Sequence, residues 1–269
     1  MNHSSVAVVS PSNSEAILAR DLAASPAIRS GLPLVIERGH ASAAVALNAG
    51  LAKTGADIVV FAHQDVYLPA GWERRLLSQV VKLEALSPDW AVLGVAGMDH
   101  AGLWVGHAYS SGLGREFGGT LDRPLPVASV DELLIVLRRE TGLRFDEHLP
   151  GYHLYGTDIV QTALERGWGA FIIDAPVVHN SEPKPHFLAY ARSYRYMKRK
   201  WRHRLPIPTT IIPITSSHAP LARMMLRAAA GRVLGPNATG RPHPDPRALA
   251  LSLGYEGCPG EPADGLLHG

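Results

Sequence analysis

The chain has 269 residues, just under half of them apolar, enough to bury one sizeable core with room for a second small domain. Its formal net charge of +2 is close to neutral, so no global field points to nucleic acid. One cysteine, Cys258, excludes an internal disulfide framework, and neither a leader-like N-terminus nor a run of about eighteen apolar residues occurs, so a soluble cytoplasmic protein is the default expectation.

In chain order, residues 6–9 read as a short β-branched strand. Ser10, Pro11, Ser12 and Asn13 then form a loop and helix cap before EAILARDLAAS. A second apolar run, Leu34 to Ile36, stops at Glu37, and the small-residue helix ASAAVALNAGLAKTG follows it. Asp57 to Pro69, DIVVFAHQDVYLP, supplies a continuous apolar strand that gives out at His63, Gln64 and Asp65. Strand, helix, strand, helix, strand with short joints is the pattern of an α/β unit with a parallel sheet. After a helix over 72–86, WAVLGVAGM predicts a fourth strand. The Gly-rich section from His100 to Thr120 fails the dinucleotide fingerprint and reads as a mobile or hairpin-like insertion, with His100 and His107 solvent-facing or structural.

Residues 126–130 and 133–137 predict two pieces of β structure around Asp131 and Glu132. A helix begins at Thr157 and Asp158 and ends at Gly167, and AFIIDAPVVH gives a last strand, with Pro176 arguing for an edge or a bulge. His179 follows directly. Polar groups at the carboxyl ends of strands in an α/β sheet face the ligand crevice. His63 and Asp65 offer nitrogen and oxygen donors to one divalent ion, although from these residues alone a turn capped by Asp65 with a packed His63 is the plainer explanation. For Asp158 the competing explanation is a first-turn acid favoured by the helix dipole.

The series LNAGLAKTGADIVVFAHQDVYLPAGW, VDELLIVLRRETGLRFDE and YHLYGTDIVQTALERGWGAFIIDAPVVH resembles a glycosyltransferase of the GT-A fold. More narrowly, it is similar to family 2-like bacterial glycosyltransferases that carry an H-Q-D-V segment in place of D-x-D. The resemblance spans roughly residues 5–205. It implies a three-layer α/β/α sandwich around a mostly parallel mixed sheet, a nucleotide-sugar donor, and Mn²⁺ or Mg²⁺ to neutralise the leaving diphosphate. The acceptor hydroxyl would belong to a glycan, a lipid-linked molecule or a small molecule. It also implies metal ligation by Asp65 and His179, activation of the acceptor by Asp158, and nucleoside contacts from Glu37, Ser10 and Asn13. His63 stands where the usual motif has its first carboxylate, with metal, ribose or neither as its partner.

The segment FLAYARSYRYMKRKWRHRLPI interleaves seven basic residues with Tyr190, Tyr194, Tyr196 and Trp201. A helix packing its aromatic rings on the sheet is the plainest explanation. Diphosphate contact and peripheral membrane contact through residues 190–204 are the others. Prolines break the chain beyond Leu205, so residues 206–269 read as an extension with one short helix near 221–235 and a flexible remainder. A metal-dependent hydrolase and a non-catalytic nucleotide- or carbohydrate-binding protein are the rival functions.

Overall fold

The computed structural model describes residues 4–182, 187–230 and 240–256. The elements in order are β1 (Val6–Pro11), α1 (Glu15–Arg20), α2 (Pro26–Arg29), β2 (Leu34–Glu37), α3 (Ala43–Ala52), β3 (Ile58–Ala62), β4 (Val66–Tyr67) and α4 (Trp72–Glu84). Then come β5 (Trp90–Gly94), β6 (Ala96–Met98), β7 (Trp104–Ser110), β8 (Arg115–Gly118), β9 (Leu125–Pro126), β10 (Ser129–Val130) and β11 (Leu134–Arg138). The chain continues with α5 (Tyr155–Glu165), β12 (Gly169–Ile172), β13 (Val177–His179), α6 (Phe187–Lys200), α7 (Ala219–Ala229) and α8 (Pro246–Ser252).

The main sheet has seven strands in the order β2-β1-β3-β11-β5-β12-β9. β1 pairs parallel with β2 and β3, and β12 parallel with β5. β11 is inserted antiparallel between β3 and β5, and β9 runs antiparallel to β12. Five strands therefore share one direction, which makes the sheet mixed but mostly parallel. Successive residues of a strand face opposite sides. Val59 and Phe61 accordingly enter the core under α3, α5 and α6, while Ile58, Val60 and Ala62 enter the core under α1 and α4. The continuous apolar run of β3 is thus explained by burial on both faces. This is the three-layer α/β/α arrangement expected for a GT-A domain.

Close packing of α3 is what its small residues provide. A Cβ on Gly50 would come within 2.2 Å of Val9 Cγ1. Ser42 caps this helix by accepting from the Val45 amide.

Two expected strands are each divided. WAVLGVAGM splits at Val95 into β5 of the main sheet and β6 of a second sheet ordered β10-β6-β7-β13-β4, with β8 on β7. The run around Pro176 splits into β12 and β13, which lie in different sheets, so Pro176 sits in a connector where no ladder donor is required. The Gly-rich section contains the β7–β8 hairpin. His107 is structural, its Nδ1 lying 2.7 Å from Asp174 Oδ1.

The extension holds two helices rather than one, α7 and α8. Ala250 of α8 and Tyr255 pack with Tyr67 and Val178, apolar anchoring that the proline-rich composition obscured. Residues 231–235 of the expected helix, and Cys258 with residues 236–239 and 257–269 of the stretch expected to be flexible, lie outside the described residues. Among the described residues, no helix is long and apolar enough to cross a membrane.

Candidate active site

The carboxyl end of β3 and the start of β4 form a tight turn in which the Val66 amide donates to His63 O at 3.1 Å. The turn sends alternate side chains in opposite directions. Gln64 points toward the loop after β1, where its Oε1 accepts from Ser12 Oγ at 2.8 Å and from the Asn13 and Ser14 amides at 3.1 Å each. Its Nε2 donates to Asn13 Oδ1 at 2.7 Å. His63 and Asp65 point the other way and meet His179.

β13 brings His179 there, pairing antiparallel with β4 so that His179 lies opposite Val66. The next residue, Asn180, donates its amide to Asp65 O at 2.7 Å and its side chain to Asp21 Oδ1 at 2.7 Å. One donor atom from each of His63, Asp65 and His179 falls within 4.8 Å of the other two. Asp65 Oδ1 is 3.4 Å from His179 Nε2 and 4.0 Å from His63 Nδ1. That oxygen is buried yet accepts no hydrogen bond. A buried carboxylate oxygen without a donor calls for an explanation, and two imidazoles with one carboxylate form a donor set suited to a divalent transition metal.

The electrostatics agree with an ionised carboxylate between two imidazoles. Burial pushes Asp65 up, but the charge and contact of His179 outweigh it and hold the carboxyl well below the usual range. Burial lowers His179, and the Asp65 charge more than reverses this, leaving it raised. His63 is lowered, chiefly by burial. Its other ring nitrogen, Nε2, lies 2.8 Å from Tyr155 Oη, which fixes the ring and leaves Nδ1 on the Asp65 side.

The other expected site residues are placed differently. Asp158, the expected base, is buried, and both its oxygens are engaged: Trp201 Nε1 donates at 2.7 Å and Lys200 Nζ at 2.8 Å. Burial raises its pKa, with Lys200 acting against the rise. Asp158 thus ties α5 to the end of α6. Asp158 is absent from the charges acting on His63, which are Asp65, His179 and Asp131, and from those acting on His179, which are Asp65, Asp131 and Asp21. Glu37 is buried at the end of β2, paired with Lys53 at 2.6 Å and His40 at 2.9 Å, and its carboxylate is therefore already compensated. Ser10 is fully buried at the end of β1. Asn13 is part of the loop gripped by Gln64. Tyr190 and Tyr194 of α6, and Trp201 just after it, are buried in the core, as plain packing requires, and Lys200 turns inward to Asp146 and Asp158.

Sequence reasoning did not assign roles to Tyr155 or to Glu132. Tyr155 Oη donates to Glu132 O at 3.3 Å as well as meeting His63. The available signal was the adjacent acidic pair Asp131-Glu132 between two short strands, which by itself reads as a turn.

No family model matches the chain. A protein of Fuscovulum blasticum described as ATP synthase subunits region ORF 6 is 31% identical over 127 residues, which is 45% of this chain and 50% of that protein. The chain therefore spans about half the length of that curated relative. Among solved structures, it is similar to a mannosyltransferase from Pyrobaculum calidifontis in complex with GDP-Man and Mn²⁺, with a TM-score of 0.48 and 15% identity over 93% of this chain and 79% of the other. It is also similar to glucosyl-3-phosphoglycerate synthase from Mycobacterium tuberculosis in complex with Mg²⁺ and UDP, with a TM-score of 0.44 and 17% identity over 78% of this chain and 82% of the other.

Proposed function

We propose that the protein is a metal-dependent glycosyltransferase that moves a sugar from a nucleotide-sugar donor to an acceptor hydroxyl with inversion. The observation that carries this reading is the orphaned Oδ1 of Asp65, set between His63 and His179 at the carboxyl edge of a mostly parallel sheet. These three residues would hold the ion. When bound, a divalent cation neutralises the negative charge that grows on a departing nucleoside diphosphate.

The protein's own groups supply the rest. Tyr155 orients His63, Asn180 staples the end of β13 to the metal turn, and Gln64 holds the loop after β1 at the edge of the crevice. Nucleoside contact would come from this loop, around Asn13, and from the end of β2. The N donors favour Mn²⁺ over Mg²⁺, because Mg²⁺ prefers an all-oxygen shell. Exposed Arg192, Arg195 and Arg199 on α6 with exposed Leu188 form the face on which a lipid-linked acceptor would be met at a membrane surface.

The test is nucleoside diphosphate release from a panel of UDP- and GDP-sugars with Mn²⁺ or with a chelator. Turnover with Mn²⁺ that is abolished by the chelator and by Asp65→Asn is expected. Undiminished turnover in the chelator would refute the metal-dependent reading.

A further inference from the structure

Glu132 occupies the turn between β10 and β11, and its side chain reaches the N-terminus of α5. That terminus carries no side-chain cap of its own. The amides of Leu154 and Gly156 face the Glu132 carboxylate and act to lower its pKa. The backbone is shaped for this. Leu154 has φ of 67°, the only non-glycine residue with positive φ among those described. Such conformations are costly and gather at functional sites. Residue 156 has no room for a side chain, since a Cβ there would lie 2.6 Å from Val130 O and 3.4 Å from Glu132 Cγ. The Glu132 side chain lies against the face of α5 from which a side chain at 156 would project.

The backbone of the Glu132 turn is joined to the candidate metal-binding cluster. Tyr155 Oη bridges Glu132 O and His63 Nε2, and the His63 amide donates to Leu133 O at 3.0 Å. Burial, with the neighbouring Asp131 charge, pushes Glu132 up to about 8 despite the two amide donors. The titratable groups around it are Asp131 on its own turn, Tyr155 of α5 and Tyr190 of α6. No cation contributes to its shift, in contrast to Asp158 with Lys200.

We propose that Glu132, not Asp158, is the general base of the transfer. The proposal rests on the glycosyltransferase reading above. The acceptor oxygen forms a bond to the anomeric carbon while the bond from that carbon to the diphosphate oxygen breaks, its electron pair leaving with the nucleoside diphosphate. The hydroxyl proton passes to a Glu132 oxygen and then to solvent. A base must be deprotonated to act and yet hold a proton well, and a carboxylate raised toward neutral pH meets both conditions.

The experiment uses the full chain with Mn²⁺ and GDP-mannose or UDP-glucose, water serving as acceptor, and measures nucleoside diphosphate release and nucleoside diphosphate affinity. Glu132→Gln keeps an oxygen for the two amides. It is expected to lower kcat by about 100-fold or more, to leave affinity within about twofold, and to abolish a rising pH limb near 8. Glu132→Asp, the second variant, should recover part of kcat and retain that limb. A Glu132→Gln protein with wild-type kcat and pH profile, alongside an inactive Asp65→Asn, would reduce Glu132 to a helix cap and overturn the proposal alone. Wild-type protein that neither releases nor binds a nucleoside diphosphate would overturn the transferase reading and this proposal together.

Discussion

His179 Nε2 lies 3.4 Å from Asp65 Oδ1, and that buried oxygen has no hydrogen-bond donor. The two residues come from β13 and from the turn after β3, and the antiparallel β4–β13 pair sets them side by side. On the proposed metal-dependent reading, removing either removes a ligand of the ion. Asp65→Asn and His179→Ala are expected to weaken Mn²⁺ binding in titration calorimetry by at least about tenfold, the smaller end of what even an outer ligand partner contributes. The folds should persist, because neither side chain fills the core.

Tyr155 is the outer partner of the same centre, its hydroxyl 2.8 Å from His63 Nε2. Tyr155→Phe leaves the ring in the core and removes only the hydroxyl. Mn²⁺ affinity should fall about tenfold, while chemical denaturation should register a loss of only about 1 kcal/mol. An unchanged affinity would show that His63 is held without this contact.

Asp158 is expected to matter for stability. Its two oxygens meet Trp201 Nε1 and Lys200 Nζ. Breaking a wholly buried ion pair costs about 3–5 kcal/mol, but Lys200 is 26% exposed and water compensates part of the loss. Asp158→Asn should therefore destabilise by roughly 2 kcal/mol. Its turnover per folded molecule should stay near wild type, and a loss of 100-fold in kcat with stability intact would return the base role to Asp158.

The raised Glu132 carboxyl predicts a pH dependence of stability with a definite sign. Its folded value of about 8 lies above the ordinary 4.5, so between these values the folded chain holds a proton that the unfolded chain has released. Stability contributed by this group is complete below about 4.5 and falls as pH rises toward 8. Glu132→Gln removes the titration. Urea denaturation at several pH values should show a shallower decline for the variant than for wild type across that window.

The architecture was largely legible because burial writes itself into sequence. The continuous run Val59, Val60 and Phe61 matches a strand covered on both faces, and the small residues Ala43, Ala44 and Ala46 match a closely packed helix. The H-Q-D turn was legible too, since the apolar run ends there abruptly. Pairings across the chain were not. Asp158 and Lys200 are 42 residues apart, and nothing local distinguishes a first-turn acid that meets a lysine from one that meets a substrate. Glu132 was hidden for the same reason: its acidic pair reads as a turn until α5 is seen to place two amides over it. Tyr255, finally, sits in a proline-rich tail whose composition suggests disorder, and only the packing against Tyr67 shows why it is buried.

The most direct test of the central claim is thermal unfolding with GDP or UDP in the presence and absence of Mn²⁺. At a ligand concentration near 100 times Kd, binding adds about 2.7 kcal/mol, which for a chain of this size raises Tm by roughly 5–10 °C. One nucleoside diphosphate is expected to produce this shift only with Mn²⁺, and Asp65→Asn and His179→Ala are expected to lose it. A shift of equal size without Mn²⁺, or none with either nucleotide, would contradict a metal-held diphosphate at His63, Asp65 and His179.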